Sequence, residues 1–105
     1  MMTDELTQTE QVARIFSVLS TNRRCKILRL LIDSEQPVNS SMIANIIGES
    51  DATTSFNLTA LREAGVIGKV PSGRWAFYFV NPDAITAIAN FLTVQEPEDE
   101  YRPTS

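Results

Sequence analysis

Apolar residues recur along this chain at helical spacing, then crowd into two short β-type runs, then return to helical spacing. Val12, Ile15, Phe16 and Leu19 fall three or four apart and predict a one-sided helix from about Leu6 to Leu19, with residues 1–5 loose before it. Ser20-Thr21-Asn22 breaks the pattern with capping chemistry, and a second helix is predicted from Arg23 to about Asp33. Cys25, Ile27, Leu28, Leu30, Leu31 and Ile32 make it apolar over a wide arc, as a central core helix would be. Pro37 lies in a connection, and Val38 has room for a one- or two-residue strand. Asn39 or Ser40 caps a third helix through Met42, Ile43, Ile46 and Ile47, which Gly48 stops. Ser50 or Asp51 caps a fourth, which runs to Ala64 and stops at Gly65.

Val66–Val70 and Arg74–Val80 are β-branched and aromatic, and Pro71-Ser72-Gly73 joins them as a hairpin. Asn81-Pro82-Asp83 opens a last helix to about Val94, with Ile85, Ile88, Ala89 and Leu92 on one face. The acidic, proline-containing residues 95–105 read as a disordered tail, which leaves 1–94 as the folded domain. Two short helices about a tight, glycine-containing turn occur in many bundles; a hairpin directly after them is far more specific. The expected fold is mainly α with one β-hairpin: a winged helix-turn-helix of about five helices with a two-stranded wing.

Composition narrows the function more than the fold. The chain has 105 residues, enough for one domain that buries roughly 65 % of its unfolded surface. No apolar run approaches the roughly 20 residues that span a bilayer, so no membrane partner is expected. One cysteine excludes an internal disulfide, and a cytoplasmic location is expected. Histidine is absent, which removes His-based acid–base chemistry, serine-type triads and most zinc sites, so neither enzyme activity nor a cofactor is expected. The net charge of −4 counts against a nucleic-acid binder until its location is considered. Residues 95–105 hold Glu96, Glu98, Asp99 and Glu100 against Arg102, leaving nine acids and eight bases in residues 1–94. A nearly neutral body can still present a basic strip to phosphate, because the local field steers binding.

On a helical wheel, Thr54, Leu58, Leu61 and Gly65 share the core side of the fourth helix. Ala52, Thr53, Phe56, Thr59, Ala60 and Glu63 face away, with Ser55 and Asn57 on the flanks. Ser50, Thr53 and Ser55 suit phosphate and base-edge contacts at a helix N-terminus, and Asn57 can pair bidentately with adenine. Phe56 either touches a thymine methyl or packs under the neighbouring helix. Lys69, Ser72 and Arg74 bracket the hairpin tip, where they either grip phosphate or decorate a solvated turn. Arg62 suits a helix-ending salt bridge as well as DNA, and Arg23, Arg24, Lys26 and Arg29 form a solvated face with one phosphate contact at most. Trp75, Phe77 and Phe79 alternate on the strand and are expected to pack between hairpin and helices. Cys25 is expected as a small buried hydrophobe, with an exposed, reactive thiol beside Arg24 and Lys26 as the alternative.

The segment L-S-T-N-R-R-C-K-I-L-R-L-L (Leu19–Leu31) resembles the L-S-D-P-T-R-L-R-I-L-x-L-L block of ArsR/SmtB-type repressors. L-x-x-L-R-E-A-G-V-I (Leu58–Ile67) and G-R-W-A-F-Y-F-V (Gly73–Val80) are similar to that family's next two blocks, in order and at similar spacing. The resemblance covers roughly residues 10–93 and implies a homodimeric repressor on a palindromic operator in double-stranded DNA. It further implies a dimer interface on the first and last helices, here Val12, Ile15, Phe16, Leu19, Ile85, Ile88, Ala89 and Leu92. The family's C-V-C metal positions are Asn39 and Ser41 in this chain, its His-containing site has no histidine to use, and its two-cysteine redox pair is reduced to Cys25. No metal site is therefore expected, and the inducer is unknown. A winged-helix protein-interaction adaptor is the competing class. It accounts for the acidity and for Phe56, but not for Lys69 and Arg74 around a wing. On the regulator reading, Asn57→Ala relaxes sequence preference whereas Arg74→Ala weakens all sequences alike.

Overall fold

Most helices begin where a side-chain oxygen meets the free N–H groups of the first turn. The computed structural model describes residues 2–94, with side chains from Leu6 onward; the expected acidic tail at 95–105 lies outside the described residues. Helices α1 (Met2–Val18), α2 (Asn22–Asp33), α3 (Ser40–Ile47), α4 (Asp51–Glu63) and α5 (Pro82–Phe91) alternate with strands β1 (Val38–Asn39), β2 (Ile67–Ser72) and β3 (Trp75–Val80). Thr21 Oγ1 accepts from the Arg24 amide at 3.2 Å, and Asn39 Oδ1 from that of Met42 at 2.9 Å. Ser50 Oγ accepts from Thr53 at 3.0 Å, and Asn81 Oδ1 from Asp83 at 3.1 Å. Each such cap contributes about 1 kcal/mol, and they decide for Asn39 over Ser40 and for Ser50 over Asp51. A Schellman turn ends α4: Val66 N–H reaches Leu61 O and Gly65 N–H reaches Arg62 O, both at 3.0 Å.

Two helix limits differ from expectation. Helix α1 starts at Met2 and not Leu6, because a polar first turn carries no apolar period to announce it. Helix α5 stops at Phe91, short of Val94, and Leu92 caps it through its amide to Asn90 and Ile88.

The core gathers Ile15, Ile27, Ile43, Leu58, Leu61 and Val66, all without solvent exposure, from four helices and the residue just before β2. The sheet has three strands in the order β1-β3-β2, all antiparallel. The hairpin was expected to be two-stranded; Val38 and Asn39 add a third strand opposite Tyr78 and Phe77. Ser72 pairs with Trp75, so the turn is Gly73-Arg74 and not Pro71-Ser72-Gly73. Gly73 takes φ +63° and Arg74 a negative φ, the pattern of a type II′ hairpin turn. Pro71 then sits within β2, which is an edge strand, where a missing N–H is tolerated.

The faces of β3 are reversed from expectation. Ile67 is buried directly after the α4 turn and pairs with Val80. Side chains opposite one another share a face, so Tyr78 and Ala76 follow Val80 inward. Tyr78 is 8 % exposed, whereas Trp75 is 50 % exposed and Phe79 is also open to solvent. The larger aromatic set thus lies on the outer face, where Phe79 crosses Gly68: a Cβ on Gly68 would land on its ring.

Gly68→Ala is therefore expected to displace Phe79 and cost roughly 1–3 kcal/mol. Thr54 is fully buried and its Oγ1 has no hydrogen-bond partner. Thr54→Val, close in shape, is expected to be neutral or to stabilise by about 1 kcal/mol. Urea denaturation of the two variants checks both signs.

Candidate nucleic-acid interface

Helices α3 and α4 are joined by Gly48-Glu49-Ser50, and the first turn of α2 lies against that pair. Arg23 Nε forms an ion pair with Glu49 Oε2 at 2.9 Å, tying the turn between the two helices to α2. Arg24 does more. Its Nε donates to Asn57 Oδ1 at 2.7 Å and its Nη1 to the Val18 carbonyl at 3.3 Å, while its guanidinium carbon lies 6.0 Å from the centre of the Phe56 ring. One side chain therefore joins the end of α1, the start of α2 and the middle of α4. Thr21, Arg23, Arg24, Ala52, Thr53, Phe56 and Asn57 line a cleft of about 400 Å³ at this junction.

Asn57 is not on an open flank. It is 5 % exposed, its oxygen accepts from Arg24, and its Nδ2 donates to the Thr53 carbonyl at 2.8 Å. The wheel contains the reason: Asn57 lies about 60° from Thr54 on the side of Leu61, inside the buried stripe. Its amide is committed within the protein, so a bidentate adenine contact would require both bonds to break. Phe56, on the opposite side, is 69 % exposed and packs under no neighbouring helix, although Arg24 covers part of its face. Ser55 is exposed, Thr53 half-buried, and the Ser50 hydroxyl is engaged as a cap.

Lys69, Ser72 and Arg74 are all exposed on the hairpin. The register puts Lys69 on the Tyr78 face and Ser72 on the Trp75 face, with Arg74 in the turn between them. They bracket the tip without forming one basic patch.

The residues expected at a dimer interface fall into three groups by exposure. Val12 and Ile15 are buried within their own protomer and so support such a surface without being part of it. Leu19 and Ile88 are half-buried against the core, and Ile85 is half-buried. Phe16, Ala89 and Leu92 are exposed, and Phe16 meets Phe91 edge-on with ring centres 6.2 Å apart. Phe91, exposed beside them, was missed; its place three residues after Ile88 was the available signal.

Arg24 is the other residue the sequence reading undervalued, since an Arg-Arg pair after a cap looks like solvated charge. Cys25 is exposed, not buried, because it lies about 200° from Ile27 on α2; its Sγ donates to the Leu19 carbonyl at 3.1 Å. Among the described residues, no three of His, Cys, Asp and Glu stand close enough to hold a metal. Asn39, at one of the family's metal positions, spends its side-chain oxygen on the α3 cap.

Known proteins share this fold. The profile of the bacterial regulatory protein arsR family matches residues 21–69. The cadmium resistance transcriptional regulatory protein CadC of Listeria innocua is 36 % identical over 72 residues, which are 69 % of this chain and 60 % of CadC. An uncharacterized HTH-type transcriptional regulator of Methanocaldococcus jannaschii, MJ1325, is 30 % identical over 86 residues, 79 % of this chain and 92 % of MJ1325. The homodimeric winged helix-turn-helix DNA-binding domain Mb0332 of Mycobacterium bovis superposes with a TM-score of 0.70 at 28 % identity, over 83 % of this chain and 80 % of that one. The chain thus spans about 60 % of the length of CadC.

Loss of either partner in the Arg24–Asn57 pair leaves Arg24 Nε or the buried Asn57 Oδ1 without the bond between them, which costs about 1–3 kcal/mol. Arg24→Ala and Asn57→Ala should each destabilise by that order, and the double variant by less than their sum. Denaturant titration of the four-protein cycle measures the coupling; strict additivity would contradict it.

Proposed function

The chain belongs to the arsR family of bacterial regulatory proteins, and on that premise we propose that it is a cytoplasmic, homodimeric, DNA-binding transcriptional repressor without enzyme activity. The observation that carries the proposal is the exposed side of α4, with Ser55, Phe56 and Thr59 open to solvent and the Arg24 guanidinium held at 6.0 Å from Phe56. A helix of that length enters a major groove, where Phe56 meets thymine methyls and Ser55 and Thr53 meet base edges or phosphate. Arg24 supplies the positive charge that α4 itself lacks along this side. Lys69 and Arg74 add phosphate contacts from the wing, which raise affinity without reading sequence.

Two copies would pair through Phe16, Ala89, Phe91 and Leu92 and so place two copies of α4 on a two-fold symmetric operator. Recognition of a palindrome follows from that symmetry. Release from DNA would not use the family's metal positions, because Asn39 caps α3 and Ser41 offers no thiolate. Specificity is assigned differently from the sequence expectation: to Phe56 and its hydroxyl neighbours, with Asn57 as their support.

Fluorescence anisotropy of a labelled AT-containing palindrome from the gene's own upstream region tests the proposal at two salt concentrations. Affinity should fall steeply with salt, and Arg74→Ala should weaken all sequences alike. No complex at low salt would sink the regulator reading and favour an interaction adaptor. Zn(II) or As(III) added to the complex should release no DNA; clear release would reveal a metal site elsewhere.

A further inference from the structure

A groove of about 570 Å³ lies between α2 and α3, and no residue of α4 lines it. Lys26, Arg29, Leu30 and Asp33 reach it from α2, at the spacing that shares one helix face. Ile46 and Ile47 reach it from α3, and Ser34, the cap of α2, lies at its far end. Leu30 and Ile47 pack on the core and form a fixed apolar floor, beside which Ile46 is 62 % exposed. The volume falls within the roughly 300–1,000 Å³ of small-molecule sites.

Charge on this groove is one-sided. Among the described residues, the side-chain ion pairs are Arg23–Glu49 and Arg29–Asp33. The second is internal to the groove and leaves its far end neutral. At the near end, Lys26 also lines the adjoining cleft that holds Arg23 and Glu49, so two cations there face one carboxylate. One positive charge, on Lys26, is left over at a single end of the apolar floor. The length is set as well: Lys26 to Ser34 is eight residues, about 12 Å of helix. An extended hydrocarbon of roughly ten carbons, with bonds of about 1.5 Å in zigzag, covers that distance.

We propose that this groove binds a free, unbranched monocarboxylate of roughly ten carbons, its carboxylate on Lys26 and its chain over Leu30, Ile46 and Ile47. A second carboxylate at the tail end would meet Asp33, and a cationic head would meet Lys26, so both alternatives are disfavoured. The bound head group also lies beside the Arg23–Glu49 ion pair, which ties the turn between α3 and α4 to α2. There it competes with Glu49 for the two cations and loosens that tie. Ligand and DNA then disfavour each other reciprocally. This consequence, unlike the binding, rests on the proposed DNA-binding function.

The test titrates the full chain with decanoate, below its micelle concentration, and follows resonances by NMR. Saturable shifts should appear at Lys26, Leu30, Ile46 and Ile47. Acetate should cause none, and decyltrimethylammonium should bind roughly tenfold more weakly or worse. Lys26→Gln and Ile46→Ser, both exposed changes that leave the fold intact, should each weaken decanoate roughly three- to tenfold. Equal binding of the two decyl amphiphiles, unchanged affinity in both variants, or shifts confined to the cleft at Ile32 and Phe79 would overturn the site. A response to anionic phospholipid vesicles but not to decanoate would assign the groove to a lipid surface instead. Ile46 shifts that follow protein concentration alone would assign it to a second copy. The consequence is read with a mixed-sequence duplex, whose binding saturating decanoate should weaken roughly three- to tenfold. Saturable shifts without any duplex binding would sink the DNA reading alone. Duplex binding that ignores bound decanoate would sink the coupling and leave the site.

Discussion

One guanidinium group holds α4 in place. The 2.7 Å bond from Arg24 to Asn57, with the second bond to the Val18 carbonyl, joins three helices whose apolar contacts alone would let α4 slide or roll. Burial is non-directional and leaves small shifts cheap, whereas a charged donor with a buried amide acceptor has one good geometry. Asn57 passes the constraint on through its bond to the Thr53 carbonyl, so the orientation of the first turns of α4 depends on Arg24. Phe56 is then displayed outward and partly covered by the same guanidinium. A cation and an aromatic ring reach solvent together because each limits the other's rotamers.

The wing depends on a different constraint. Val66 and Ile67 must both enter the core as the chain leaves α4, and the pairing of Ile67 with Val80 settles every face of β3 beyond it. The outcome places Trp75, Phe77 and Phe79 outward, against what their size would suggest, since a one-residue slip would exchange the two faces completely. Gly68 accommodates the result by giving the Phe79 ring a flat place to lie. The wing is thus an apolar-surfaced hairpin with its charges at the tip and on the opposite face, in contrast to a uniformly basic arm.

Most helix limits were legible in the sequence because caps are local chemistry: Thr21, Asn39, Ser50 and Asn81 act within three residues of themselves. The order of elements, and hence the fold, followed from those stops together with the change of period after Gly65. Faces were less legible. Asn57, expected on a flank, lies in the core stripe, and Cys25, expected buried, faces solvent, because wheel position and not residue type decides the side. Val12 and Ile15 looked like contact surface when α1 was considered alone, and only its packing on the rest of the protomer buries them. The role of Arg24 was not legible at all. Its partner is 33 residues away, and nothing local marks one of the three arginines of α2 as the one that bonds to α4.

The central claim is that DNA meets the surface that Arg24 organises, together with the wing tip. Amide hydrogen exchange on the full chain, with and without a bound duplex, tests it most directly. Slowed exchange should appear at residues 51–57 and 69–74 and in the first turn of α2. Protection confined to the outer sheet face at Trp75–Phe79, or to the outward side of α3 around Met42 and Ile46, would contradict it.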